Sequence, residues 1–130
     1  MANEATICDT FCIRVIQNAA AAETINVEIG TRAFTVLAVG VYWIGRDATP
    51  ANSTLQVSKV AADATVTNLF GSALTGANIV TGTNKAYANV ETNNDFSRSD
   101  SLRLVTTNAN TQVEVVLYCT GNPQQTLTVS

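Results

Sequence analysis

Residues 101–120 read SLRLVTTNANTQVEVVLYCT and carry the clearest structural signal in this chain. On both sides of residues 108–111, apolar side chains recur at every second position. A period of two places these side chains on one face of a β-strand, and that face can then be buried. The asparagines between the two runs tolerate the left-handed backbone conformation of a tight turn. The stretch therefore predicts two strands, 102–107 and 112–120, that form a hairpin.

Similar alternation extends over most of the chain and predicts further strands at residues 7–17, 25–29, 54–60, 78–81 and 85–91. Within residues 61–74, helical spacing of apolar residues competes with β-branched residues and Gly71, so a short helix and two short strands both remain open. About eight to ten short strands are typical of an antiparallel sandwich or barrel. We therefore expect an all-β, jelly-roll-like fold with at most one short helix, around 61–74.

Residues 34–44 form the most apolar segment. Such a run predicts a central strand that is covered on both faces, or one that ends against a neighbouring subunit. The chain of 130 residues fits a single β domain, 1–130, with a short N-terminal arm (about 1–6) and a C-terminal tail (about 121–130). Within the tail, residues 127–129 are expected to form either an edge strand or an arm.

Charged residues make up only 13% of the chain, whereas an average soluble domain carries about 25%. Thr, Asn, Ser and Ala replace them, which predicts a neutral, hydrogen-bonding surface. Such a surface suits packing against other proteins, because little side-chain entropy or charge desolvation opposes contact. It is equally typical of a small secreted-type β domain. Few charges protect the edge strands that a sandwich exposes, so we expect a partner subunit to cover them.

The net charge of −3 and the scattered Lys and Arg residues argue against direct nucleic-acid binding. The apolar segment 34–44 is too short to span a bilayer, so no membrane partner is expected. The first residues lack the basic and apolar regions of a signal peptide, and we expect the product to accumulate where it is made.

Histidine is absent from the chain. Histidine is the commonest general base and a frequent zinc ligand, so its absence argues against the Ser-His-Asp and Cys-His pairs and the usual zinc sites. Glu91, Asp95 and Asp100 flank one loop and could in principle perform glycosidase chemistry. Asn93, Asn94, Asp95 and Asp100 could bind calcium, but their spacing does not match the EF-hand loop. Solvated turns are the favoured interpretation. We therefore expect no enzyme activity, catalytic residue, cofactor or metal.

The three cysteines are Cys8, Cys12 and Cys119. On one continuous strand, Cys8 and Cys12 would lie roughly 13 Å apart, which is too far for a disulfide. Either could approach Cys119 if the first and last strands are neighbours. The odd count in a chain without a signal peptide favours free, buried thiols.

Tyr42 and Trp43 end the apolar segment, just before a turn that contains Arg46 and Asp47. Aromatic residues are frequent hot spots of protein interfaces, so Tyr42, Trp43 and Arg46 are the candidate interface residues. Trp43 has the phase of the inward-facing positions and is expected in the core. Tyr42 is one residue away, so it is expected on the surface. Arg46 and Asp47 are expected to form a turn pair.

From Thr54 onward, the sequence resembles small bacteriophage virion proteins, namely head decoration (cement) proteins and head fibres. The residues that carry the resemblance are LQVSKV (55–60), FSRSDSLRLV (96–105) and VEVVLY (113–118). The second block is similar to a recurring pattern of an aromatic residue, a polar turn, an Asp and an alternating strand. Many members have Gly just before that Asp, where this chain has Ser99. The resemblance covers about half of the chain and is a fold-level pattern.

The resemblance implies a β-sandwich or barrel that binds the major capsid protein on the outside of an assembled capsid. Such proteins are made in the host cytoplasm, commonly form homotrimers and brace the shell. The N-terminal arm and the edge strands would be the contacts. Without histidine, capsid binding is expected to vary little between about pH 5 and pH 8.

The alternative is a receptor- or carbohydrate-binding β-sandwich module of a phage tail or a bacterial surface. Exposed aromatic residues in a groove would support it, and the aromatic content of 6% is low for such a module. An enzyme is the third and least favoured class.

Overall fold

The structure, a computed structural model, describes residues 3–9, 12–28, 33–78, 83–121 and 128–129. Apart from a 3₁₀ turn at Pro50–Asn52, the regular elements of these residues are β-strands. Their bounds are β1 Glu4–Asp9, β2 Cys12–Ile16, β3 Thr24–Glu28, β4 Phe34–Gly45, β5 Thr54–Val60, β6 Val66–Asn68, β7 Leu74–Thr75, β8 Lys85–Asn89, β9 Asp95–Phe96, β10 Ser101–Thr107, β11 Gln112–Gly121 and β12 Thr128–Val129.

The strands form two antiparallel sheets that pack face to face. Sheet A has the order β1-β2-β11-β4-β8, with β9 also paired to β4, and sheet B has the order β12-β3-β10-β5-β6, with β7 also paired to β5. Four strands of each sheet, β2-β11-β4-β8 and β3-β10-β5-β6, have the order of the two sheets of a jelly roll. The predicted all-β antiparallel sandwich is confirmed, and its sheets do not close into a barrel.

The core lies between the sheets and consists of the inward-facing members of each alternating strand. Leu102 and Leu104 of β10 and Val115 and Leu117 of β11 are each at most 1% exposed. The period of two therefore identified the buried face correctly. The other buried hydrophobic side chains of this core are Ile13, Val15, Ile25, Val27, Phe34, Val36, Val39, Val41, Trp43, Leu55, Val57, Leu69, Val90, Phe96, Val113 and Cys119.

The hairpin predicted for residues 101–120 is wrong, although both of its strands exist. β10 pairs with β3 and β5 in sheet B, whereas β11 pairs with β2 and β4 in sheet A. The turn, in which Asn108 has a positive φ of 76°, carries the chain from one sheet to the other. Alternation reports which face of a strand is buried and does not report which strand lies beside it.

β4 is a central strand of sheet A, as predicted, but only its inner face is covered within this chain. The pairing with β11 skips Leu37, because Tyr118 pairs with Ala38 and Cys119 with Val36. This bulge shifts the alternation by one residue, and both Val36 and Val39 are buried. The shift explains why the consecutive residues Ala38 and Val39 are both buried, whereas the apolar side chains of Leu37, Tyr42 and Ile44 are 40–47% exposed on the outer face. Coverage of the outer face by a neighbouring subunit stays a prediction.

The single strand predicted at residues 7–17 is two strands. β1 pairs antiparallel with β2, and the chain reverses between Asp9 and Cys12. Residues 4–6, expected in a free arm, begin β1 at the edge of sheet A. At the other end of the chain, β12 pairs with β3, so part of the expected tail is an edge strand of sheet B.

The cysteines differ from expectation. Cys12 is disulfide-bonded, so free thiols were wrongly predicted for this residue. The separation of roughly 13 Å between Cys8 and Cys12 applies to one straight strand. The chain reverses before Cys12, so this separation does not argue against a disulfide. Cys119 is a free buried thiol, so pairing with Cys119 is excluded. The side chain of Cys8 lies outside the described side chains.

Of the two alternatives for residues 61–74, the short strands are correct and the helix is wrong. β6 and β7 both pair with β5, and Gly71 lies in a bend between them. The strands predicted at 54–60 and 85–91 correspond to β5 and β8. Residues 79–82 and 29–32, which include most of the strand predicted at 78–81 and the last residue of the strand predicted at 25–29, lie outside the described residues.

Burial raises the pKa of the Cys119 thiol to about 12. Because the thiolate is the reactive form, Cys119 should resist alkylation at about pH 8 in the folded protein and react once the protein unfolds. Mass spectrometry of the peptide that contains Cys119, after iodoacetamide treatment with and without denaturant, measures this. Equal labelling under both conditions would contradict a buried position in the core.

Candidate functional site

The outer face of sheet A carries all three tyrosines of the chain. Tyr42 on β4 is 40% exposed, Tyr118 on β11 is 44% exposed and Tyr87 on β8 is 62% exposed. The three strands are neighbours in the sheet. We call the surface formed by these side chains and Gly40 the tyrosine groove.

The strand register places the tyrosines around Gly40. Gly40 pairs with Tyr87 of β8 on one side and with Val116 of β11 on the other. Tyr42 follows two residues later on β4 and therefore points to the same face. Tyr118 follows Val116 by two residues, which places it on this face as well. The groove is thus a property of three strands that are far apart in the sequence.

Gly40 forms the floor of the groove, because it has no side chain that would fill this space. A Cβ atom at this position would lie 3.4 Å from Cε2 of Tyr118 and 3.8 Å from its hydroxyl oxygen. The rings of Tyr87 and Tyr118 have centroids 6.0 Å apart and are tilted by 52°. The space between the walls is about 310 Å³, within the range of small-molecule sites.

Charged groups lie beside the rings. Glu114 and Lys85 both line the groove, and both pair with Tyr42 across the strands. Arg14 Nε donates a hydrogen bond of 2.7 Å to Oε1 of Glu114, which fixes the carboxylate. The same interaction raises the pKa of Arg14. The groove therefore offers a positioned acceptor and a cationic donor next to apolar rings.

The structure separates the three predicted interface residues. Tyr42 is on the surface and Trp43 is 1% exposed, in agreement with the phase argument. Arg46 Nη1 donates to the carbonyl oxygen of Gly76 at 2.6 Å, away from the groove. An interface role of Tyr42 stays a prediction, and the buried Trp43 offers a partner no contact surface.

Sequence reasoning missed Tyr87 and Tyr118. Each occupies an outward position of an alternating strand, so the sequence pattern could have indicated that it is exposed. Their convergence on Tyr42 was not visible, because it depends on the order of β11, β4 and β8 in the sheet.

Arg46 and Asp47 belong to a turn, but their side chains bond to other partners. Asp47 accepts hydrogen bonds from the Thr49 amide at 2.9 Å and from Asn108 Nδ2 at 3.0 Å. These bonds lower the pKa of Asp47. The carboxylate thereby ties the turn after β4 to the turn between β10 and β11.

Two acidic residues of the segment 91–100 differ in their partners. The Ser97 amide donates to Asp100 at 2.8 Å, which agrees with the turn interpretation. Asp95 lies in β9 and accepts from Thr35 Oγ1 of β4 at 2.6 Å, so the turn interpretation is wrong for this residue. The described residues contain no group of three or more His, Cys, Asp or Glu side chains that could hold a metal ion.

The outer face of sheet B has a different composition. Among the outward positions of β3, β5 and β10, only Glu28 and Arg103 are charged. We call this surface the sheet B face, with outward residues Thr24, Asn26, Glu28, Thr54, Gln56, Val60, Ser101, Arg103, Val105 and Thr107. Ser58 points the same way but is buried.

Hydrogen bonds hold several side chains of the sheet B face in place. Arg103 Nε donates to Asn26 at 2.9 Å, and the hydroxyls of Thr54 and Thr107 are 2.6 Å apart. Such bonds reduce the side-chain entropy that the face would lose on binding a partner.

Over the residues that the structure describes, no helix is long and apolar enough to cross a membrane. No protein-family model matches the chain, and a search of curated proteins finds no significant match.

Proposed function

We propose that this chain is a non-enzymatic virion structural protein that binds the outside of a phage capsid and stabilises it. Its partner is the major capsid protein, and its working form is a homotrimer on the capsid exterior. The proposal rests on the resemblance of residues 54–118 to decoration proteins, and the jelly-roll sandwich is compatible with it.

The observation that best supports this proposal is the sheet B face. A decoration protein has to cover a shell without losing much free energy to the desolvation of charges or to the ordering of long side chains. The sheet B face is broad, nearly uncharged and partly held by its own hydrogen bonds. We assign the capsid contact to this face and the contacts between trimer subunits to the sheet edges.

A matched pair of variants tests the assignment. Val105 and Val116 are both half-buried valines on central strands, Val105 on the sheet B face and Val116 on the outer face of sheet A. A lysine at a docking face must be desolvated, so V105K should weaken capsid binding by about tenfold or more. V116K should bind within about twofold of the unsubstituted chain. Co-sedimentation with assembled capsid shells of the encoding phage measures both affinities.

The reverse pattern, a loss with V116K alone, would place the contact on sheet A and overturn the assignment. Absence of co-sedimentation for the unsubstituted chain would overturn the proposed function. Light scattering of the free chain, with a monomer mass of 13.7 kDa, shows whether the trimer precedes binding or forms on the shell.

A further inference from the structure

We propose that the tyrosine groove is a binding site for an uncharged saccharide. The inference goes beyond capsid binding and does not rest on it, because the groove and the sheet B face lie on opposite sides of the sandwich. An occupant of the groove would remain accessible when the sheet B face is covered.

The first argument is the convergence of the aromatic side chains. Every tyrosine of the chain lies on this one face, at 40–62% exposure. Exposed tyrosines add little to the stability of the fold, so their concentration on one face needs another explanation. Tyrosine combines an apolar ring with a polar hydroxyl, and the C–H faces and hydroxyl groups of a sugar ring need both.

The second argument is the shape of the floor. Gly40 pairs with Tyr87 in the strand register, and a Cβ atom there would lie 3.4 Å from the Tyr118 ring, so a larger side chain would press on that ring and fill the floor of the groove. The glycine has no need of a left-handed backbone, since its conformation is that of an ordinary strand residue. Its effect is therefore to leave a concave surface in the middle of a sheet, where a flat face is usual.

The third argument is the pairing of acceptor and donor at the wall. Glu114, fixed by Arg14 at 2.7 Å, accepts hydrogen bonds, and the ammonium group of Lys85 donates them. Sugar hydroxyls both donate and accept, so they match this pair. A proline-rich peptide, the other usual ligand of aromatic grooves, presents carbonyl acceptors without proline N–H donors, so its prolines cannot donate to the Glu114 carboxylate. Arg14 already pairs with Glu114, so the preference for an uncharged ligand rests on the apolar faces of the tyrosine rings and not on the charges at the wall.

The experiment uses the free chain and an array of uncharged hexose and N-acetylhexosamine oligosaccharides. The oligosaccharide with the strongest signal is then titrated by NMR against the unsubstituted chain and three variants. Y87A removes one wall, and G40V fills the floor while leaving every tyrosine in place. The matched control is I44A, because Ile44 is a 43% exposed side chain on the same face of β4 but does not line the groove.

We expect Y87A and G40V each to weaken binding by about tenfold or more, and I44A to change it by less than about twofold. Circular dichroism confirms that each variant is folded. Absence of binding at millimolar saccharide, binding that G40V leaves unchanged, or binding of a proline-rich peptide in place of every saccharide would overturn the inference. None of these results depends on a capsid, so failure here is distinct from failure of the proposed function.

Discussion

Replacement of Trp43 by alanine should destabilise the protein by about 3–5 kcal/mol, the usual cost of removing a large aromatic side chain from a core. Trp43 is the largest of the fully buried side chains, at 1% exposure, and it lies in the central strand β4. Small domains have total stabilities of about 5–15 kcal/mol, so W43A should remove a large part of the stability. Urea unfolding followed by far-UV circular dichroism measures the change, because Trp43 is the only tryptophan and cannot serve as the fluorescent probe.

Two further variants show whether burial is the cause. Y87A removes a 62% exposed ring and should change stability by less than about 0.5 kcal/mol. W43F should cost less than W43A, because Trp43 Nε1 is a buried donor without a hydrogen-bond partner among the described residues and phenylalanine removes that unpaired group. Equal losses for W43A and Y87A would contradict the position of Trp43 in the core.

Replacement of Gln17 by leucine should produce the second large loss, about 1–3 kcal/mol for each buried group that it leaves unpaired. The Gln17 side chain is fully buried. Its Oε1 accepts from the Val113 amide at 3.1 Å, and its Nε2 donates to the Ala21 carbonyl at 2.9 Å. The side chain continues the pairing of β2 with β11 where the strand ends, and leucine has no polar atom to replace it.

The control for Q17L is Q56L, the same substitution at a half-buried position of the sheet B face. Gln56 Nε2 donates to the Phe70 carbonyl at 3.1 Å, and water can replace it there. We expect Q56L to cost less than about 1 kcal/mol in the same urea assay. Similar losses for the two variants would show that the Gln17 bonds contribute nothing beyond ordinary surface hydrogen bonds.

The two outer faces of the sandwich suggest a division of roles. The proposed capsid contact uses the uncharged, hydrogen-bonded face of sheet B, and the proposed saccharide site uses the aromatic face of sheet A. V105K tests the first face, with V116K on the opposite face as its control, and G40V tests the second face, with I44A beside the groove as its control. The two proposals can therefore succeed or fail separately.

Alternation in the sequence was sufficient to predict several of the strands and their buried faces. β5 and β10 lie where the pattern placed them, and Leu102, Leu104 and Val115 are buried as expected. This information is local, because consecutive side chains of any strand point to opposite faces. For the same reason, the sequence predicts that Tyr42 is exposed while its neighbour Trp43 is buried.

Strand pairing was decided only by the tertiary structure. The pattern of residues 101–120 is the same whether β10 and β11 pair in one sheet or face each other across the core, and the structure has the second arrangement. The reversal before Cys12 and the bulge at Leu37 likewise depend on neighbouring strands. The tyrosine groove also depends on strand order, since Tyr42, Tyr87 and Tyr118 meet only because β11, β4 and β8 are adjacent. An amino-acid sequence specifies the faces of its strands through local geometry, whereas neighbours are chosen by packing of the whole core.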